Sequence, residues 1–157
     1  MVGNTNTVYL SREKLEDLKK ELEHLKSHRR KEIAESLEFA KSLGDLSENA
    51  EYIQAREDQA KTEERISQIE EALKNAVIVG KHHSSIVEVG STVIVEKGGS
   101  EAKQKYQIVG SEEADMKQGK ISNRSPLGEA LFGKKKGDKI SFKTPTGITN
   151  YKIVDIE

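Results

Sequence analysis

The sequence predicts an α+β protein: an N-terminal antiparallel helical hairpin, then a small antiparallel sheet domain with one short helix. Three observations carry this. Leu15, Leu18, Leu22 and Leu25 recur at spacings of 3, 4 and 3, the seam expected of paired helices. After Ala76 the apolar residues gather into short β-prone runs. Between the two helical stretches lies Gly44-Asp45-Leu46-Ser47-Glu48-Asn49-Ala50-Glu51-Tyr52, where the pattern demands a reversal of the chain.

Ser11 is placed to cap a helix beginning near Arg12. The first seam continues through Ile33, Leu37 and Ala40, but it slips at His28-Arg29-Arg30, because Leu25 to Ile33 is eight residues rather than seven. Such a slip locally relaxes a supercoil. The second helix shows Ile66, Ile69, Leu73 and Ala76 at the same spacing, with a weaker stretch from Ala50 to Gln59. Beyond it, Val93–Val95, Tyr106–Val109, Ile140–Phe142 and Tyr151–Val154 read as four of four or five antiparallel strands, with turns at Gly98-Gly99 and Pro145-Thr146-Gly147. Ser125 as N-cap, Pro126 in the first turn and Gly133 after the last define the short helix. The compositional break divides the chain into 1–76 and 77–157, and His82-His83-Ser84-Ser85 is its most linker-like spot.

Composition narrows the function. Of 157 residues, 34% are charged and only 4% aromatic, which suits exposed helices plus one small globule. The net charge of −1 provides no global basic field, so autonomous sequence-specific DNA binding is not expected. Residues 11–76 carry 13 Lys/Arg against 17 Asp/Glu, and residues 77–157 carry 13 against 10, so the hairpin is the acidic half. There is no cysteine, which excludes disulfides and thiolate metal sites. No apolar run reaches the roughly 18 residues of a membrane span, and the N-terminus lacks a signal-peptide pattern. The expectation is a soluble, cytoplasmic protein without a membrane role. A Gly-rich phosphate loop, a Ser/His/Asp set and an HExxH motif are all missing, and the adjacent His82 and His83 are not spaced for one metal.

The acids at the reversal are the chemical signal. Carboxylate oxygens are ligands that Mg²⁺ prefers, and acids at a hairpin tip, far from any core, are placed to reach into a partner. Asp45 and Glu48 also fit a second reading. An acid followed three residues later by Glu resembles a capping box for the second helix. Lys41 and Arg56 either pair with phosphates or are ordinary solvated helix charges. Ser122, Ser125 and Pro126 either form a docking surface or simply cap the short helix. Lys134-Lys135-Lys136 reads as a solvated turn.

The tip segment, together with Glu113-Ala114-Asp115, Gly119-Lys120-Ile121-Ser122, Ser125-Pro126-Leu127, Ala130-Leu131, Gly133-Lys134 and Gly137-Asp138, resembles the two signatures of the bacterial Gre transcript cleavage factors. Having only Lys41 and Arg56 as tip cations favours the GreA type over the GreB type. Lys31 departs from the proline that many members carry there. The resemblance implies a coiled-coil hairpin joined to an FKBP-like domain, and a factor that binds RNA polymerase rather than an enzyme. The hairpin would enter the polymerase's secondary channel and stimulate cleavage of backtracked RNA. It implies that Asp45 and Glu48 supply ligands to Mg²⁺ only in the polymerase active site, with no cofactor of the factor's own. Glu51 and Tyr52 would shape the tip and touch the polymerase. Lys41 and Arg56 would meet the RNA 3′ segment. Residues Ser122 to Pro126 would dock the polymerase. A channel-blocking antagonist is the competing reading, and the intact Asp45/Glu48 pair favours stimulation.

Overall fold

The computed structural model describes residues 6–80 and 84–157, so His82 and His83 of the expected linker lie outside the described residues. Two compact units emerge. One is Leu15–Asn75, and the other joins the residues up to Lys14 with Ala76–Glu157. The chain therefore passes between units twice, at 14/15 and at 75/76, rather than once as the cut at Ala76 expects.

The helical unit has two arms. The first comprises α1 (Arg12–His24), a π-helical turn (Leu25–Arg29) and α2 (Arg30–Ser42). Ser11 caps α1, its Oγ accepting from the Lys14 N–H at 3.1 Å. The π turn falls where the apolar repeat slips. Arg30 N–H donates to the Leu25 carbonyl, five residues back. The wider turn absorbs the eighth residue between Leu25 and Ile33, so Leu18, Ile33 and Ala40 are all buried on one stripe. The helix continues unbroken through Lys31.

The second arm, α3 (Ala50–Lys74), buries Ala55, Thr62, Ile66, Ile69 and Ala72. Its inward stripe thus differs from the expected one. Ala72 is the buried position, Leu73 is half-buried, and the helix ends at Lys74 before Ala76. Cross-arm bonds show the arms to be antiparallel. The Asn49 amide reaches Ala40, Arg30 reaches Glu63, and Arg65 reaches Glu21, so partners run in opposite directions along the chain.

The sheet unit contains two strands the sequence did not announce. β1 (Val8–Leu10) pairs parallel with β2 (Ala76–Ile78) in the register Val8↔Ala76. That pairing holds the first residues to this unit. Glu113 adds to it by accepting from the Ser11 N–H at 2.9 Å and the Ser11 hydroxyl at 2.6 Å.

The main sheet has five strands: β3 (Thr92–Lys97), β4 (Lys103–Val109), β5 (Lys120–Ser122), β6 (Lys139–Thr144) and β7 (Gly147–Ile156), in the order β5-β4-β3-β7-β6. The four expected strands are among them. The sheet is mixed, however, not wholly antiparallel, because β5 runs parallel to β4. A parallel neighbour needs a crossover, and residues 110–119 supply one with two single-turn 3₁₀ helices.

Alternating residues of β3 and β7 point inward. Val93, Val95, Tyr151 and Ile153 are buried with Ile108, Ile121, Leu127 and Leu131. α4 (Pro126–Leu131) closes the core, with Pro126 in its first turn as expected. Among the described residues, no helix is long and apolar enough to cross a membrane.

Candidate functional site

The hairpin tip is built by an amide rather than by an acid. α2 ends at Ser42, and Gly44 follows at φ +126°, a conformation L side chains rarely adopt. Six residues later α3 begins. Its N-cap is Asn49, whose Oδ1 accepts from the N–H groups of Glu51 and Tyr52, both at 3.1 Å. The same side chain turns its Nδ2 back across the hairpin and donates to the Ala40 carbonyl at 2.7 Å. One side chain therefore closes the loop and starts the helix.

This overturns the capping-box reading of Asp45 and Glu48. The third residue of α3 is Tyr52, not an acid, and neither Asp45 nor Glu48 bonds to the N-terminal amides of the helix. Asp45 instead makes a local turn. Its Oδ1 accepts from the Ser47 N–H at 3.1 Å and the Ser47 hydroxyl at 3.0 Å. These two bonds stabilise the carboxylate and hold its pKa below the ordinary value. The Glu48 carboxylate makes no hydrogen bond or ion pair with the described residues, and both acids are exposed. Glu51 is exposed in the first turn of α3 and Tyr52 is half-buried; their backbone N–H groups are the ones Asn49 caps. Among the described residues no three His, Cys, Asp or Glu come together as a metal site.

The hairpin's two flanks differ chemically. Arg30 holds Glu63 through two bonds of 2.8 and 2.7 Å, and Lys26 pairs with Glu70; these lie along one flank. The first pair raises the Arg30 pKa and lowers that of Glu63. Arg29–Asp58 at 3.4 Å and Arg65–Glu21 at 2.7 Å lie along the other. At 100° per residue, positions seven or eleven apart share a flank. Lys41 is eleven beyond Arg30, and Arg56 is seven before Glu63, so the two tip cations stand together on the first flank. Arg56 bonds Gln59 at 2.7 Å, and Lys41 makes no ion pair among the described residues.

In the sheet unit, the hydroxyls of Ser122 and Ser125 are occupied. Ser122 Oγ meets Ser111 Oγ at 3.1 Å and accepts from Arg124 N–H at 3.1 Å. Ser125 Oγ donates to the Ser122 carbonyl at 2.7 Å and accepts from Gly128 N–H at 3.1 Å. A Cβ on Gly128 would stand 2.0 Å from the Ser122 carbonyl oxygen, so only glycine lets α4 seat on this turn. Pro126 is exposed beside it. Lys134, Lys135 and Lys136 are exposed in a turn, with Lys136 paired to Asp155 at 3.1 Å.

The residue that sequence reasoning underrated is Asn49. An Asn immediately before Ala50-Glu51, with helix-forming residues beyond, is a strong N-cap signal in its own right.

Family models match both halves of the chain. Residues 8–78 match the family described as transcription elongation factor, N-terminal, and residues 81–157 match transcription elongation factor, GreA/GreB, C-term. Transcription elongation factor GreA of Clostridium acetobutylicum is 49% identical over 142 residues, covering 89% of this chain and 90% of that protein. Its counterpart in Clostridium perfringens is 50% identical over 145 residues, covering 91% and 90%. The crystal structure of Thermus aquaticus Gfh1 aligns over 98% of this chain and 99% of its own, at 30% identity and a TM-score of 0.45. With both halves matched and half the residues shared with such relatives, this chain belongs to the GreA/GreB family of transcription elongation factors.

Proposed function

We propose that this elongation factor binds RNA polymerase in the cytoplasm, inserts its helical hairpin as a coiled coil into the secondary channel, and stimulates the polymerase to cleave backtracked RNA. The observation that carries the proposal is the separation of roles at the tip. Asn49 holds the fold, and among the described residues Glu48 has no hydrogen-bond or ion-pair partner for its carboxylate and Asp45 is bound only through Oδ1. Two exposed carboxylates are then available to a partner's site. Mg²⁺ is commonly held by one or two carboxylates plus water, so Asp45 and Glu48 suffice as a borrowed pair. Asp45 and Glu48 would help hold a second Mg²⁺ beside the one in the polymerase site, and the two ions together would supply an activated water and stabilisation of the leaving oxygen.

Asp45 is anionic at neutral pH, as a ligand must be, and its bonds to Ser47 push its pKa further down. Lys41 and Arg56, on one flank, would face the phosphates of the RNA 3′ segment. Glu51 and Tyr52 would shape the tip and touch the polymerase. Ser122, Ser125 and Pro126 would form the docking surface of the sheet unit, the serines by fixing the turn and Pro126 by contact. The factor itself is then no catalyst and needs no cofactor of its own.

A Mg²⁺ titration of RNA cleavage by backtracked complexes tests this, with wild type, Asp45→Asn, Glu48→Gln and no factor. The wild type should lower the Mg²⁺ midpoint, and each variant should lose most of that shift and at least about tenfold in rate. Superimposable midpoints would refute the borrowed-ligand mechanism. Slower cleavage with wild type than without factor would establish the antagonist instead.

A further inference from the structure

The second flank of the hairpin carries an apolar pair just below the acids. Phe39 and Leu43 are seven and eleven residues beyond Glu32, so they lie on the flank marked by the Arg29–Asp58 pair. They are 62% and 53% exposed. Phe39 lies on α2 and Leu43, four residues on, is its C-cap, so the two face the same patch of surroundings. No packing need of the hairpin explains them, since Ile33, Ala40 and Ala55 already fill the seam near the tip.

The charges around the pair select its occupant. On this flank Glu32, Glu51 and Asp58 are carboxylates, against the two cations Lys61 and Arg29, and Arg29 is already held by Glu32 at 3.1 Å and Asp58 at 3.4 Å. A phosphate chain approaching here would meet net negative charge. The tip cations Lys41 and Arg56 stand on the other flank. RNA is therefore directed to one side of the hairpin and away from Phe39 and Leu43.

We infer that Phe39 and Leu43 form an anchor that docks against apolar side chains on the protein wall of the polymerase channel, opposite the RNA-facing flank. The inference rests on the proposed insertion of the hairpin. One residue, Gly44, separates Leu43 from Asp45, so a wall that surrounds the tip acids also surrounds this patch. Burying it holds the inserted state without taking part in the chemistry.

The test compares wild type with Phe39→Ser/Leu43→Ser, using Ile148→Ser, 75% exposed in the sheet unit, as control. Two quantities are read on backtracked complexes: equilibrium affinity by anisotropy of labelled factor, and cleavage rate against factor concentration. Circular dichroism melts of the free proteins show that the exposed substitutions leave the fold intact, and sedimentation gives their oligomeric state.

The expected result is a loss of affinity of about 10- to 100-fold, the range for truncating apolar anchors, with a matching rise in half-saturating concentration. The saturating rate should stay within about twofold, and the control should match wild type. Unchanged affinity overturns the anchor. A lower saturating rate at unchanged affinity also overturns it, because the pair would then act on RNA or chemistry. A wild-type dimer that the double variant abolishes makes a second copy the occupant. If wild type fails to stimulate cleavage, the proposed function falls, yet the affinity comparison still decides the anchor.

Discussion

Replacing Asn49 should loosen the tip more than replacing either acid. Its side chain makes three hydrogen bonds, two as N-cap acceptor and one as donor to Ala40. Loss of an N-cap costs about 1 kcal/mol. The bond to Ala40 adds about 0.5–1 kcal/mol, toward the low end for a lost hydrogen bond, because the Ala40 carbonyl keeps a second donor, the Leu43 N–H at 3.2 Å. Asn49→Ala should therefore cost about 2 kcal/mol, or roughly 4–8 °C in the melt of a chain this size. Amide exchange at Glu51 and Tyr52 should quicken by roughly 30-fold, the population equivalent of that energy.

Asn49→Asp is the discriminating control. As a cap alone, Asp equals Asn and adds a favourable charge at the helix N-terminus. Here its second oxygen would stand where Nδ2 now lies, 2.7 Å from the Ala40 carbonyl oxygen. Two acceptors would then face each other, so Asn49→Asp should be less stable than wild type. Thermal melts by circular dichroism and residue-resolved exchange read both effects. An alanine variant within about 0.3 kcal/mol of wild type, or an aspartate variant at least as stable as wild type, would refute the claim that this amide braces the tip.

Two further outcomes follow from the geometry. Deleting Ser27 should convert the π turn to α-helix and bring Leu25 and Ile33 to the seven-residue spacing, leaving the helical melt unchanged or higher. Deleting Ser36 should instead rotate Leu37, Ala40 and the tip by about 100° and lower the melt; equal damage from both deletions would count against the re-phasing role. Burial and the neighbouring Tyr151 hydroxyl push the Tyr106 phenol up to about 12, above the ordinary value near 10. The folded state thus favours the neutral ring, and its contribution is complete below about pH 10 and lost as pH rises toward 12. An ultraviolet titration should show a tyrosinate step near 12 that Tyr106→Phe removes.

Much of the molecule was legible because its signals are local. The leucine seam, the turns at Gly98-Gly99 and Pro145-Thr146, and the Ser125 cap each depend on neighbours in sequence, and each stands where expected. The slip between Leu25 and Ile33 was visible as a counting error in the repeat, although counting alone does not say that a π turn absorbs it. What escaped notice depends on distant partners. Val8-Tyr9-Leu10 and Ala76-Val77-Ile78 are strands only because they find each other, and three residues carry no periodicity. β5 is parallel because of how residues 110–119 fold between it and β4. At the tip the acid-to-acid spacing was right for a capping box but the segment was wrong. Ser47 lies two residues from Asp45 and takes its carboxylate for a local turn first.

That competition matters for function. An acid serving as N-cap would be turned toward the helix end, its charge engaged by the amides of α3 and by the positive end of the helix. It would be a poor donor to a metal held elsewhere. The neutral Asn49 meets the same amides without using up a charge, and its second polar atom closes the loop on Ala40. The Asp45 turn uses one carboxylate oxygen and depresses the pKa, so the group keeps its charge as pH falls, down to its lowered folded-state pKa. Glu48 lies between that turn and the cap, bound by neither. A tip assembled this way is ordered before it meets a partner. Its two acids are then flanked by fixed backbone on either side, and on the proposed function little further ordering of that backbone would be needed for them to enter a partner's site.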